Sequence, residues 1–260
     1  MAGGLKGFLF RCAYRTYFFK ETFWYKRCLK KFRALNHSEQ YPVIDKMSKF
    51  ALLSDHKVAA GSVSCYLYQD LWGAKKVFEL PAEIEHFDIG SRIDGFIAHL
   101  LSFRSNIVLI DIRPMDYFID RDLKFIQADA TNLEGIADCS IDSISALCSI
   151  EHFGMGRYGD PIDPFAHNKV ILAIQRVLKP GGRAFISVPI GKEQVVFNAH
   201  RIFNPRTIIN EFNQMDLMEF SVIDTSDKKT PVTINADIDS YSDVENHSGS
   251  ITGLFDFVKI

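Results

Sequence analysis

Short apolar runs of strand length alternate along this chain with stretches in which apolar residues recur every three to four positions. The clearest case is Glu85 to Phe96. A run closing on Asp88 is followed by Gly90, and Phe96, Ile97, Leu100 and Leu101 then fall at helical spacing. That pattern predicts strand, tight turn, helix. Ile107 to Asp111 predicts a second buried strand ending in an acid, and Lys124 to Ala128 a third, ending at Asp129 and Ala130. Ile141 to Leu147 predicts a fourth, arriving at Ser149-Ile150-Glu151-His152. A loop of turn formers, Gly154 to Pro164, leads to a helix with Val170, Ile171, Ile174, Val177 and Leu178 on one face, opposite Lys169, Gln175 and Arg176. Lys179-Pro180-Gly181-Gly182 stops that helix and turns into a fifth strand, Ala184 to Val188. Pro205 to Phe212 predicts a short helix, and Met218 to Asp224 and Leu254 to Ile260 two late strands around a loop or lid over 225–250. Upstream, Tyr68 to Phe78 predicts a helix capped by Asp70, and residues 37–67 irregular structure or a cap over the site.

Strands alternating with helices predict an α/β fold, a doubly wound, mostly parallel sheet with helices on both faces. Ligands in such sheets bind at the carboxyl ends of the strands. Asp88 with Gly90, Asp111, Asp129 and His152 all fall at predicted strand ends, on four different strands. Their convergence is the main sign of a single site. The domain reading is 37–260, preceded by an extension over residues 1–36.

Composition separates those two parts. Residues 1–36 carry nine Lys/Arg against one acid, a net charge of +8 that leaves −10 on the remainder. Ten aromatic residues lie among those charges, and Phe10, Tyr14, Tyr17 and Trp24 fall near one helical face. Rings mixed with Lys/Arg suit a helix lying on an anionic membrane surface, and equally a helix packed on protein or on a second subunit of an oligomer. The acidic remainder argues against nucleic acid as partner. Five scattered cysteines without a Cys-x-x-Cys pair form neither a zinc site nor a disulfide framework, which predicts a reducing, cytoplasmic setting. No apolar run approaches the roughly 20 residues of a membrane span, and basic residues interrupt the N-terminal apolar stretches in a way a secretory signal does not.

Read as a dinucleotide fingerprint, the first turn has Gly90 and Gly95 but Arg92 where the middle glycine should let a pyrophosphate approach. A cofactor with ribose and adenine but no pyrophosphate fits better. The series Asp-x-Gly, acid, Asp-Ala, Glu-His and Leu-Lys-Pro-Gly-Gly over residues 68–224 resembles the class I S-adenosylmethionine (SAM)-dependent methyltransferases. The resemblance implies a Rossmann-like seven-stranded sheet with an antiparallel last strand. It also implies SAM as cofactor, with Gly90 lining its methionine part, Asp111 on the ribose hydroxyls and Asp129 on the adenine amino group. Asp88, Ser91, Ile112 and Ala130 complete the implied cofactor set. Arg92 departs from the family pattern and is a candidate partner for the cofactor carboxylate. Tyr-Gln-Asp-Leu-Trp (68–72), Asp-Ile-Gly-Ser-Arg-Ile-Asp-Gly-Phe (88–96), Asp-Ile-Arg-Pro (111–114), Gly-Arg-Tyr-Gly-Asp-Pro-Ile-Asp-Pro (156–164) and Phe-Asn-Ala-His-Arg-Ile (197–202) are similar to a methyltransferase-like family of unknown function. That narrower resemblance implies a link to sugar and surface-polysaccharide biosynthesis, hence a glycan hydroxyl as acceptor.

Candidate catalytic residues are His152 and His200 as bases, with Asp160 and Asp163 holding the acceptor's hydroxyls. His152 is alternatively a buttress of the site, the charges of the 154–164 loop alternatively cap turns, and His200 and Arg201 alternatively satisfy buried carbonyls. No metal is expected. Two other functional classes stay open, a non-catalytic membrane-associated scaffold and an NAD-dependent sugar-modifying enzyme. Arg92 and the lack of a Tyr-x-x-x-Lys motif weigh against the latter.

Overall fold

The computed structural model of the protein describes residues 22–36 and 63–260, except 117, 228, 230, 247 and 248. The chain divides into two units, residues 1–63 and 64–260. In the first, residues 22–35 are helical. Phe10, Tyr14 and Tyr17 of the predicted face, and positions 37–62 of the predicted cap, lie outside the described residues. Among the described residues no helix is long and apolar enough to cross a membrane.

The second unit is built on β1 (His86–Ile89), β2 (Ile107–Asp111), β3 (Leu123–Gln127), β4 (Ile141–Leu147) and β5 (Leu178–Pro189), all parallel. Helix α1 (Cys65–Phe78) precedes them, the short α2 (Ala98–Leu101) follows β1, and α3 (Ala166–Val177) joins β4 to β5. A small hairpin, β6 (Gln194–Val196) and β7 (His200–Ile202), leads to α4 (Pro205–Glu211). The chain ends with β8 (Met215–Asp224), β9 (Val232–Thr233) and β10 (Ile251–Lys259). The sheet order is β3-β2-β1-β4-β5-β10-β8-β9, with β10 antiparallel to both β5 and β8. The architecture is the predicted one, a mostly parallel sheet whose last strand runs antiparallel. The two-residue β9 adds an eighth, edge strand inside the predicted 225–250 loop.

Several details differ from expectation, among them the starts of β8 at Met215 and β10 at Ile251, three residues earlier than predicted. Asp70 lies inside α1, which starts earlier, after the N-cap Ser64. Lys179 to Gly182 are counted within β5, because Leu178 already pairs with Ile141 and the chain then bulges until Arg183 meets Ser143. Gln175, placed on the polar face of α3, is fully buried. Its side chain donates to the Glu211 carbonyl (3.1 Å) and accepts from the Gln214 N–H (2.8 Å), tying α3 to the end of α4. The β6–β7 hairpin was not predicted, since its strands are three residues long and show no alternation.

Period-two alternation splits the core into two layers. Phe87, Ile89, Val108, Ile110, Ile144 and Ile186 point toward α3 and α4. On the other face Ile107, Leu109, Leu147 and Phe185 meet Trp72, Val77, Phe96 and Leu100 of the α1–α2 side. Inside this second layer runs a polar seam of His86, Asp88, Ser143 and Ser145, each fully buried. Ser145 Oγ donates to Asp88 Oδ1 (2.5 Å), so its only proton is used and it must accept from His86 Nε2 (3.0 Å). His86 Nδ1 then accepts from Ser143 Oγ (2.8 Å), which fixes the neutral tautomer. Burial agrees, lowering the His86 pKa to about 3.

Asp88 uses its remaining capacity on the turn that follows. It accepts from the Ser91 N–H (3.0 Å) and Ser91 Oγ (2.9 Å), fixing the chain just past Gly90. Gly90 has φ +76, a left-handed conformation that suits glycine, and its N–H donates to the Ile110 carbonyl (2.9 Å). The seam therefore couples strand register to the geometry of the first turn. Ser145→Ala leaves His86 Nε2 without a partner and takes one of two donors from Asp88 Oδ1, which keeps Ser91 Oγ. The buried orphan costs roughly 1–3 kcal/mol, and a drop of that order in urea unfolding free energy is expected. A variant as stable as wild type would mean that the seam is dispensable.

Candidate functional site

The carboxyl ends of β1 to β4 open on a cavity of about 240 Å³. Its walls are Gly90 from the first turn, Asp111 and Ile112 after β2, Asp129 and Ala130 after β3, and Cys148, Ser149 and His152 after β4. The 154–163 loop and the start of α3 close it with Tyr158, Asp160, Asp163 and Lys169. A second, more open cavity of about 640 Å³ lies beside it, lined by Ser91, Arg92 and Asp94. Asp111 and Arg113 belong to both and form the wall between them.

The predicted cofactor residues thus separate into three groups. Gly90, Asp111, Ile112, Asp129 and Ala130 share the first cavity. Ser91 and Arg92 face the second, and Arg92 is an exposed side chain forked onto Asp94 (Nε–Oδ1 2.9 Å, Nη2–Oδ2 2.8 Å). Asp88 lines neither. It lies under the first turn, where burial raises its pKa to about 6, and it acts there by positioning Gly90 and Ser91.

Asp111 is not an open carboxylate. Arg113 donates to it three times, from its backbone N–H (2.8 Å) and Nε (2.9 Å) to Oδ1 and from Nη2 to Oδ2 (2.6 Å). The same guanidinium stacks 4.5 Å from the Tyr158 ring, and Arg157 lies 5.1 Å from that ring. Asp129 accepts from the Thr131 N–H on Oδ1 (2.9 Å), and its other oxygen has no hydrogen-bond partner among the described residues.

After β4 the backbone turns sharply. Cys148 sits at φ +47, an uncommon conformation for a residue with a side chain, and its N–H donates to the Ser187 carbonyl (2.9 Å) and Oγ (2.8 Å). The one-turn helix Ile150–His152 follows. His152 Nδ1 donates to the Ala199 carbonyl (2.6 Å), which leaves Nε2 as the acceptor nitrogen, 3.6 Å from Glu151 Oε1. Burial drives the two groups toward their neutral forms, lowering His152 to about 4 and raising Glu151 to about 8. A charged pair would have moved both the other way, so the contact is a neutral imidazole beside a protonated carboxyl.

Asp160 and Asp163 line the cavity, but their carboxylates serve the loop. Asp160 accepts from the N–H groups of Gly154 (2.7 Å), Tyr158 (3.1 Å) and Gly156 (3.3 Å). Asp163 accepts from Phe165 N–H (2.9 Å) and pairs with Lys169 (2.6 Å). These are the turn-capping roles held as the alternative reading. His200, on β7, lines neither cavity. Its neighbour Arg201 is buried and donates to the carbonyls of Phe153 (2.5 Å), Pro164 (3.2 Å) and Glu151 (3.4 Å), so the unpredicted hairpin clamps the loop after β4. Among the described residues no cluster of three or more His, Cys, Asp or Glu is arranged to hold a metal ion. Arg113 and Glu151 are the site residues that sequence reasoning passed over. Their signals were present, an arginine two places after the ribose-type acid and a carboxyl beside His152.

No curated protein sequence matches the chain. Among solved structures, the glycopeptide N-methyltransferase MtfA superposes with a TM-score of 0.53 at 9% identity, over 75% of this chain and 96% of that one. The [4+2]-cyclase SpnF gives 0.52 at 14% identity, over 73% and 81%. A chain from the complex of the Haloferax volcanii Trm112 methyltransferase activator gives 0.51 at 15% identity, over 74% and 90%. At such identities the likeness is one of fold, and a cyclase among the neighbours shows that one fold carries more than one chemistry. Residues 111–250 match the family described as Caenorhabditis protein of unknown function, DUF268. The match covers more than half of the chain, from the acid at the end of β2 to the residues before β10, and the protein belongs to the DUF268 family.

Proposed function

We propose that the protein is a SAM-dependent methyltransferase, with a sugar or glycan hydroxyl as acceptor. The observation that carries this reading is the meeting of Gly90, Asp111, Asp129 with Ala130, and His152 in one cavity at the ends of four adjacent strands. The residues fit the cofactor. Gly90 presents bare backbone to the cavity, and its φ of +76 is a conformation that suits glycine. Asp129 retains an open carboxylate oxygen for an exocyclic amine, and buried Ala130 offers an apolar floor beside it. The solved neighbours that are methyltransferases by name support the same reading at the level of fold.

Bound SAM supplies a methyl group activated by a sulfonium. The chain's own part is to hold the two reactants in line and to receive the acceptor's proton. Asp111 would take the ribose hydroxyls, and because a carboxylate offers about four acceptor positions, the ribose competes there with Arg113. His152 is the better placed of the two histidines for the proton. It lines the cavity, is uncharged and is held by the Ala199 carbonyl, whereas His200 lines neither cavity. Asp160 contributes by fixing the loop on which Tyr158 sits. The fork of Arg113 on Asp111 favours one other reading, a fold-keeping scaffold in which the acid is permanently closed.

Calorimetry separates the two. Charge-assisted hydrogen bonds contribute about 1.5–3 kcal/mol, so Asp111→Ala should weaken SAM by roughly ten- to a hundredfold. Arg113→Ala should bind no more weakly than wild type, because it removes a competitor. Equal losses in both variants would make Asp111 only an anchor for Arg113, and no SAM binding by wild type would favour the scaffold. Labelled methyl transfer to a panel of nucleotide sugars and lipid-linked glycans identifies the acceptor. With it, His152→Ala should lower the single-turnover rate by about 10²–10⁴-fold while sparing SAM affinity. Wild-type turnover in that variant removes His152 as the base.

We also propose that residues 1–36 place the protein on anionic membrane surfaces. Their +8 charge and ten aromatic residues support this, at about 1 kcal/mol of surface attraction per basic residue before screening. Full-length protein should co-sediment with phosphatidylserine vesicles at low salt and leave them as salt rises. Indifference to such vesicles at low salt assigns the segment to protein contact.

A further inference from the structure

Glu151 holds neither the loop after β4 nor any part of the proposed cofactor set. Its side chain is almost fully buried, 2% exposed, in the one-turn helix after β4, and Oε2 has no hydrogen-bond partner among the described residues. Ser149 Oγ, two residues earlier, is a second buried polar atom without a partner. Buried orphans are rare, and two together where a cavity begins ask for a functional cause. One layer of side chains separates the carboxyl from that cavity. Cys148 and His152 both line it, and both lie against Glu151. If the adenosyl end of SAM takes Asp111, Asp129 and Ala130, the sulfonium falls toward Gly90, Cys148 and Ser149, on the Glu151 side.

Resting on the methyltransferase reading, we propose that Glu151 is the group by which the site tells its cationic methyl donor from the neutral thioether product: it ionises when SAM binds and stays protonated when S-adenosylhomocysteine binds. The physical cause is the permanent positive charge of the sulfonium, which the product lacks. A unit charge at any separation up to about 10 Å, at an effective dielectric constant of about 20, shifts a titration by roughly one decade or more. By linkage, the same factor appears in affinity. Glu151 thus favours the donor, and product release follows from reprotonation of the carboxyl once the positive charge has gone.

The groups around Glu151 leave a clean window. From its own segment and the next loop come Cys148, held protonated by burial, His152, uncharged near neutral pH, and Arg157. From α1, Tyr66 faces it, pushed up to about 12, while Cys65 faces Cys148 and is likewise pushed toward its neutral form by burial. Arg201 holds its carbonyl from β7, where His200 also lies, and Asp88 under the first turn titrates lower, at about 6. The free carboxyl titrates at about 8. Donor binding lowers that value and releases a proton. SAM affinity therefore rises with pH from about 6.5 and levels off above about 8.

The test is calorimetry of SAM and of S-adenosylhomocysteine with full-length wild type and Glu151→Gln between pH 6.5 and 9. The two ligands share their amino and carboxylate groups, so their difference isolates the sulfonium. Wild type should show SAM gaining about tenfold over the product across the range, and the variant should show no such gain. Parallel profiles for the two ligands in wild type, or a gain retained in Glu151→Gln, overturn the proposal. Difference infrared spectroscopy of wild type alone guards against a misfolded variant: a protonated-carboxyl band must vanish on adding SAM but not S-adenosylhomocysteine, and its persistence overturns the proposal. If neither ligand binds at any pH, the methyltransferase reading falls first and this inference with it.

Discussion

The carboxylate of Asp88, sealed beneath the first turn, is the constraint on which the rest of the site depends. It receives Ser145 from β4 and the backbone and hydroxyl of Ser91 from the turn, while Ser145 holds His86. One group therefore ties the register of β1 and β4 to the left-handed geometry of Gly90. Burial strains both titratable members in opposite senses. Below about pH 6.5 the unfolded chain protonates His86 and the folded one does not until about pH 3, so acid weakens the fold through His86. Asp88 is held protonated up to about pH 6 in the fold but only to its usual 3.8 when unfolded, so its contribution falls as pH rises through that window. Between roughly pH 4 and 6 the two dependences offset each other.

Beyond that turn, each acid around the cavity is answered in its own way. Asp111 is forked by an arginine two residues on, Asp163 is paired with Lys169, and Asp160 gathers three backbone N–H groups. Glu151 is neutralised by its own proton. Asp129 keeps one oxygen open toward the cavity. The site is thus rich in carboxylates, with Asp111 and Asp163 charge-paired and Glu151 held neutral by burial.

Much of this was legible in the chain. Buried strands announce themselves by continuous apolar runs, and Ile107 to Asp111 was read with the bounds it has in the structure. Acids at the ends of such runs converge because a parallel sheet puts like ends together, which is why Asp111 and Asp129 were found. Side-chain direction was not legible. A four-residue strand does not tell which face Asp88 takes, and only the partners Ser143 and Ser145 on β4 decide it. Turn capping by the charges of the 154–164 loop was legible as an alternative and Asp160 does it, but the Arg113 fork depends on a backbone turn of two residues, below the resolution of periodicity. The β6–β7 hairpin escaped because its strands are too short to show alternation, whereas Arg201 takes the alternative role read for it, satisfying buried carbonyls.

Everything proposed for the cavity at the ends of β1 to β4 requires that it take an adenosyl cofactor through Asp111. The decisive measurement is a crystal structure of the full chain grown with S-adenosylhomocysteine. Both ribose hydroxyls should lie within hydrogen-bond distance of the Asp111 carboxylate, the adenine amine at Asp129 and the thioether near Cys148, with Arg113 turned away from its fork. Density for the ligand elsewhere, or an Arg113–Asp111 fork intact beside a bound ribose that avoids both, would contradict it.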